Sequence, residues 1–529
     1  MTTDLSAPAR RGTTTAGRGN SPRPPFGVSA VSVLAVLIAL FSLVPLGYVV
    51  YMTVATGWDT AVGLILRPRV GELLVNTLLL MAATVPLCLL LGVAGAWLVE
   101  RTNLRGRRIW AVLLAAPLAI PAFVNSYAWV SAIPSLGGLG SGILISTLSY
   151  FPLVYIPAAA TLSRLDPAIE QSAAALGLGA WRAFFRVVLP QLRIALTGGG
   201  LLVGLHLLAE YGAFAMIRFD TFTTAIMTQY RSTFNGAAGN MLASVLVFFC
   251  LLLLMAEVRS RGTARYARIG SGAQARALRL PLHAYQIPGQ VFLLALTALA
   301  FGLPLYYVLK WIAAGGADVW TAAEFLPALL ATFGYGLAGA AATIVVAFPM
   351  AYLAVRKPGW FSKSLELSNY VTSSMPGIVV ALAFVTVSIR VVPGVYQTAG
   401  VLVAAYVLLF LPRALVNIRA GLAQAPKELD EAAQALGKPP LLAFIRVTLR
   451  LTAPAAAGGA ALVFLAIANE LTATLLLSPN GTKTLATEFW SKSSEIDYAG
   501  AAPYALLMIL LSAPMTYLLF QQSKKVAGQ

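Results

Sequence analysis

Apolar stretches long enough to cross a bilayer recur from one end of this chain to the other, and that recurrence restricts its fold more than any other feature. A bilayer core of about 30 Å requires about 20 apolar residues of helix. Charge-free runs of that order or longer cover residues 28–54, 109–163, 232–256, 280–309, 325–355, 391–412 and 498–523. In lipid every backbone polar group must be satisfied within the segment, so runs of this kind are helices. Of 529 residues, 59% are hydrophobic and 11% charged, against about 25% charged in soluble domains. The fold class is an all-α polytopic membrane protein.

Twelve spans are predicted, near 28–52, 73–99, 109–130, 142–163, 195–217, 238–258, 289–312, 326–355, 367–389, 398–418, 455–477 and 500–521. They divide the chain into a disordered cytoplasmic tail (1–27), a first transmembrane domain (28–258), a basic cytoplasmic linker (259–286), a second transmembrane domain (287–522) and a short cytoplasmic tail (523–529). The net charge of +18 does not indicate nucleic acid, because the basic residues occupy short loops on alternate sides of the spans. With both termini cytoplasmic, only Arg67, Arg69, Arg218, Arg231, Lys310, Arg390, Lys483 and Lys492 of the 37 Lys and Arg fall outside, the positive-inside pattern. Arg10-Arg11 is followed too late by an apolar run that is too long for an export signal.

Cys88 and Cys250 lie inside apolar runs, and His206 and His283 are far apart. No metal-ligand spacing and no disulfide framework results, so no metal site is expected. No catalytic cluster of His, Cys or paired acids stands out either.

The sequence also repeats. Shifted by 260 residues, EQSAAALGLGAWRAFFRVVLP from Glu170 falls on DEAAQALGKPPLLAFIRVTLR from Asp430. Gly177 meets Gly437, Phe184 meets Phe444, Arg186 meets Arg446 and Glu210 meets Glu470. A shift of 255 pairs Thr77 with Thr332, Arg101 with Arg356 and Pro121 with Pro376. Six spans per half in one orientation allow a pseudo-twofold axis along the membrane normal. Both copies of the matched segment lie in the longest cytoplasmic loop of their half. Each starts acidic, which suits a helix N-terminus, continues with small Ala side chains, and is broken by a glycine. That pattern describes a short helix across the membrane face, either a plain interfacial helix or one with a dockable edge.

This segment resembles the EAA loop of binding-protein-dependent ABC importers. Glu170, Ala173, Ala174, Gly177, Val187, Leu189 and Pro190 match it in the first copy, with Ser172 at one alanine position. In the second, Asp430, Ala432, Ala433, Gly437, Val447 and Leu449 match, with Asp430 (followed by Glu431) for the glutamate and Arg450 for the closing proline. The resemblance implies two fused six-helix transmembrane domains of the type I importer kind. It implies that the loops dock on two copies of an ABC ATPase subunit, which binds ATP and Mg. No cofactor is expected in this chain, which has no G-x-x-x-x-G-K-[ST] phosphate loop and is expected not to be an enzyme. An extracytoplasmic substrate-binding protein is the other implied partner, and the bacterial inner membrane the location.

Two permease halves in one chain of this length are similar to the ferric-iron importer permeases. Glu210-Tyr211-Gly212-Ala213 with Phe219–Thr224 and Asn469–Leu477 with Thr484–Trp490 look like that family's segments after the fifth and eleventh spans. Importers of thiamine, phosphonate or other small solutes share much of this pattern and stand as the alternative. Ionisable groups within spans are costly and usually face a bundle interior or an aqueous path. Glu210 and Glu470 are therefore the leading path candidates: either they line the route, where oxygen ligands suit a hard cation, or they fix helix packing. Asn76, Asn125, Tyr127, Tyr211, Asn469 and Thr472 are further candidates, and His206 is expected to cap or pack.

The remaining rival is a secondary, ion-coupled transporter, which also often has twelve spans in two repeats. The loop Glu100–Arg108 resembles the major facilitator loop superficially but lacks its aspartate. That class has no need of two matched Ala/Gly cytoplasmic helices.

Overall fold

The computed structural model describes residues 28–165, 172–173, 175–233, 235–261 and 279–526. The 1–27 tail, most of the basic linker and the last three residues lie outside them. The described residues are helical apart from short connections and an isolated bridge between Thr102 and Leu280. Eight helices are long and apolar enough to cross a membrane, and twelve if each of four bent pairs counts as one crossing.

The bends are where the structure departs from twelve plain rods. The expected spans at 109–130 and 367–389 turn back sharply, by 92° between Arg107–Ala119 and Ala122–Ala132 and by 100° between Trp360–Ser373 and Gly377–Arg390. Pro121 and Pro376 sit at the two corners in extended backbone. The proline ring excludes a continuous helix there, since it removes a donor and clashes with the preceding turn. The expected spans at 195–217 and 455–477 are also broken. One helix ends at Ala209 and a short helix, Gly212–Met216, follows an extended Glu210. The other ends at Ala468, and Thr472–Leu477 restarts after Asn469-Glu470-Leu471. Irregular backbone at membrane depth is tolerated only where protein or water satisfies it.

Each half is built on three packed helices. In the first these are Pro68–Arg101, Pro152–Leu162 and Arg193–Ala209; in the second, Ala322–Arg356, Ala399–Ala423 and Arg450–Ala468. Without a hydrophobic force between helices in lipid, small residues allow the close approach that dispersion requires. A Cβ added at Gly92 would lie 2.8 Å from the Cβ of Val154, and one at Gly199 would lie 3.1 Å from the Cα of the same residue.

The first span of each half packs on the last span of its own half, Tyr48 donating to Asn240 at 2.6 Å in the first, and also lies against the other half. In the span Val28–Ser42 plus Val44–Thr56, the Ser42 carbonyl accepts from the Thr372 hydroxyl, and Phe41 meets Phe384 edge-on at 5.9 Å. Further along it, the Tyr48 hydroxyl accepts from Thr386 at 3.1 Å. Conversely, Gln290 of the seventh span accepts from the Trp110 indole at 3.1 Å, and Gln286 donates to Asn103 at 2.9 Å.

Candidate coupling surface and translocation path

The matched cytoplasmic segments fold alike around their shared glycine. Glu170 and Ala174 lie outside the described residues; Ala173 is buried. In the second copy Lys427–Ala435 is a helix, with Glu431 and Ala432 exposed and Ala433 half-buried. Each helix ends in a left-handed glycine, Gly177 at φ +79° and Gly437 at φ +82°. The amide after each glycine returns to the carbonyl five residues back, Leu178 to Ala173 at 3.0 Å and Lys438 to Ala433 at 3.1 Å. Glycine is the residue that adopts this termination without steric cost. Both segments then wind into a π-turn, Phe184–Val188 and Phe444–Leu449; after Pro190 the first bends by 67° into Arg193–Ala209, whereas the second runs on through Arg450 as one helix to Ala468.

The turn pushes one leucine out in each copy. Leu176 is 84% exposed and Leu436 83%. The sequence reading passed over both, although the 260-residue shift pairs them; the signal was a matched apolar residue immediately before a matched glycine. Asp430 lies in the first turn of its helix, as its position suggested, and its side chain reaches tertiary partners as well. Its carboxylate accepts from the Thr448 hydroxyl and lies 3.7 Å from the Arg356 guanidinium, which also donates to the Ala425 carbonyl at 2.9 Å. Asp430 therefore anchors the segment to the end of the eighth span, and the exposed edge is left to Glu431, Ala432, Leu436 and Gly437.

Glu210 and Glu470 sit at the two helix breaks and do equivalent work there. Glu210 Oε1 accepts from the Ala213 amide at 2.9 Å and Oε2 from the Tyr150 hydroxyl at 2.6 Å. Glu470 Oε1 accepts from the Ala473 amide, and Oε2 from the Thr474 amide and hydroxyl, all at 3.0 Å. Each carboxylate thus caps the short helix that follows it, where the first amides have no intrahelical partner. Those short helices meet across the two halves: a Cβ on Gly212 would be 2.8 Å from Phe123 and 2.9 Å from Leu471.

The other candidates scatter. The Asn76 amide donates to the Asp220 carbonyl at 3.0 Å, tying the second span to the connection after the fifth. Asn125 donates to Ser149 at 2.7 Å and Asn469 to Ser512 at 2.8 Å, each inside its own half. Two tyrosines bridge the halves. Tyr211 packs on Trp490 with centroids 5.3 Å apart, and the Tyr127 hydroxyl donates to the Tyr498 carbonyl at 2.5 Å. Thr472 is buried. His206 Nδ1 donates to the Leu202 carbonyl at 2.8 Å and its ring packs on Tyr150. Among the described residues no three His, Cys, Asp or Glu side chains group as metal ligands.

A helical membrane protein of two repeated bundles, each carrying a glycine-terminated helix between its fourth and fifth spans, is an importer permease in architecture. Residues 343–527 match the family of binding-protein-dependent transport system inner membrane components. The chain is 35% identical, over 94% of its length and 98% of the relative's, to the Fe(3+)-transport system permease protein FbpB 2 of Haemophilus influenzae. It is 21% identical to the ferric transport system permease protein FbpB of Actinobacillus pleuropneumoniae, over 74% of this chain and 60% of that one. The sulfate transport system permease protein CysT of Escherichia coli is 28% identical over 41% of this chain and 86% of its own. The chain belongs to the binding-protein-dependent permease family and is a multi-pass protein of the inner membrane. Membership implies a substrate-binding protein and an ATPase as partners.

Proposed function

We propose that this chain is the permease of an ATP-driven importer of ferric iron, delivered by an extracytoplasmic binding protein. The observation that carries this reading is the full-length likeness to an Fe(3+)-transport permease. Both termini are cytoplasmic, and two copies of the ATPase, with their ATP and Mg, dock one on each exposed Leu–Gly turn, Leu176-Gly177 and Leu436-Gly437. The binding protein docks on the opposite face. Closure of the ATPase pair on ATP drives the two turns together, and the halves rock about the contact between Gly212 and Leu471. ATP binding shifts the populations only insofar as it favours one arrangement over the other.

The test is radio-iron uptake into vesicles that hold this chain, its ATPase and iron-loaded binding protein. Uptake that requires ATP supports the reading. Uptake on an ion gradient without ATP would replace it with a secondary transporter. The sulfate-permease relatives favour one second reading, a small oxyanion as cargo, and ATP-dependent sulfate uptake with no iron uptake would establish it.

A further inference from the structure

Beyond its glycine the first cytoplasmic segment lies across the membrane face, whereas its repeat does not. Trp181–Gln191 meets the fifth span, Arg193–Ala209, at 67°, while Phe444–Ala468 is one continuous helix. The outward side of the first segment is aromatic. Trp181 is 65% exposed and Phe185 58%, and the two rings stack with centroids 6.2 Å apart. Trp181 also stacks on Trp97 at 5.7 Å. Trp97 lies four residues before Arg101, the last residue of Pro68–Arg101, and therefore about 6 Å from that end of the second span. The stacked rings are thus held at the level where a span leaves the hydrocarbon, the depth at which tryptophan collects in membrane proteins.

Two cations stand beside the rings. Arg182 and Arg186 are exposed, and among the described residues neither meets a carboxylate. A guanidinium presents a planar donor fork that matches phosphate oxygens. Aromatic side chains next to basic ones on a helix in the membrane plane give both the apolar area and the charge that bind an anionic leaflet. The repeat lacks the arrangement. The 260-residue shift sets Leu441 against Trp181, Leu442 against Arg182 and Ile445 against Phe185, and Arg186 alone keeps its counterpart, Arg446. Both halves share the fold, so the fold does not account for side chains that one half has and the other lacks.

We propose that Trp181, Phe185, Arg182 and Arg186 form a binding surface for an anionic phospholipid, with the rings at the acyl boundary and the guanidinium groups on the headgroup phosphate. Such a lipid covers the rings and neutralises the cations at once, where a free phosphate would leave the rings in water. It holds the first exposed turn, Leu176-Gly177, against the membrane, and the second turn has no equivalent anchor. The proposal is independent of the cargo.

The experiment places the full chain in nanodiscs of phosphatidylcholine with a minor share of phosphatidylglycerol, the acyl chains of one lipid or the other carrying bromine. The chain has nine tryptophans, and the part of the fluorescence quenching lost in Trp181→Leu reports the pair stacked with Trp97. That part should be quenched at least about threefold more per brominated lipid by phosphatidylglycerol than by phosphatidylcholine, a modest share of what two surface arginines contribute at an anionic leaflet. Arg182→Gln with Arg186→Gln should abolish the preference and leave quenching by phosphatidylcholine in place, and Arg446→Gln in the second copy should change neither. All variants would first be shown to be monodisperse in detergent. Equal quenching by the two lipids in the unaltered protein would overturn the proposal in favour of an ordinary lipid belt, and a preference that survives the double arginine variant would overturn the role of the guanidinium groups. Quenching that vanishes when the ATPase is added would assign the surface to that partner instead.

Discussion

At the scale of single residues, the two intramembrane glutamates show how a charged group is retained at depth. A buried carboxylate without partners is expensive, whereas one that accepts several hydrogen bonds is tolerated. Glu470 accepts three from two residues and Glu210 accepts from Tyr150 and Ala213. Glu470→Ala would leave the Ala473 and Thr474 amides uncapped, at a cost of about 1–3 kcal/mol. Glu470→Gln keeps an acceptor for one of them and should cost less. Thermal unfolding in detergent should rank wild type above Glu470→Gln and that above Glu470→Ala. A lower melting temperature for Glu470→Gln than for Glu470→Ala would argue that the charge, not the capping, is what the site needs.

Among the elements, the glycine-terminated cytoplasmic helices carry the prediction that separates docking from support. Leu176 and Leu436 are exposed and bury nothing within the chain, so Leu176→Glu and Leu436→Glu should leave yield and melting temperature unchanged. Each should reduce recovery of the ATPase in a pull-down by about tenfold or more, since a charge at the centre of an apolar contact is left unpaired. Asp430→Lys should act differently, lowering stability by placing like charge against Arg356. Full ATPase recovery with both leucines changed would remove the docking role. Comparison of the two single variants also tests whether Arg450 in place of Pro190 makes the docking sites unequal.

These elements also mark what was legible in the sequence. Long apolar runs and a 260-residue repeat are one-dimensional signals, so the class, the repeat and the matched loops were readable directly. The breaks at Glu210 and Glu470 were not, because helix and broken helix have the same apolar composition in lipid. The corners at Pro121 and Pro376 carried a visible signal, but membrane helices tolerate proline often enough that it did not decide the matter. The tertiary partner of Asp430, Arg356, was not legible, because a helix-start acid has a sufficient local explanation and Arg356 is far away in sequence.

For the whole molecule, the reach of each first span across to the other half means that the halves clasp one another. Ser42 and Ser368 hydroxyls are 3.4 Å apart, so Ser42→Cys with Ser368→Cys should cross-link on mild oxidation. A protease site inserted near residue 271 of the linker would then cut the chain without separating it. The expected gel shows one band of full mass when oxidised and two when reduced. Two bands under both conditions would mean that Ser42 does not lie against Ser368 of the second half.

That clasp has a consequence for the order of biosynthesis. Ser42 and its partner Thr372 are 330 positions apart, so at about 5–20 residues per second the first helix leaves the ribosome on the order of tens of seconds before its partner exists. Through that interval it has its own half to pack on, Tyr48 meeting Asn240 of the sixth span, while the face that Thr372 will meet stays in the bilayer. Its entire 28–54 run carries no charge, which is the property that lets that face persist in lipid until the second half arrives to receive it.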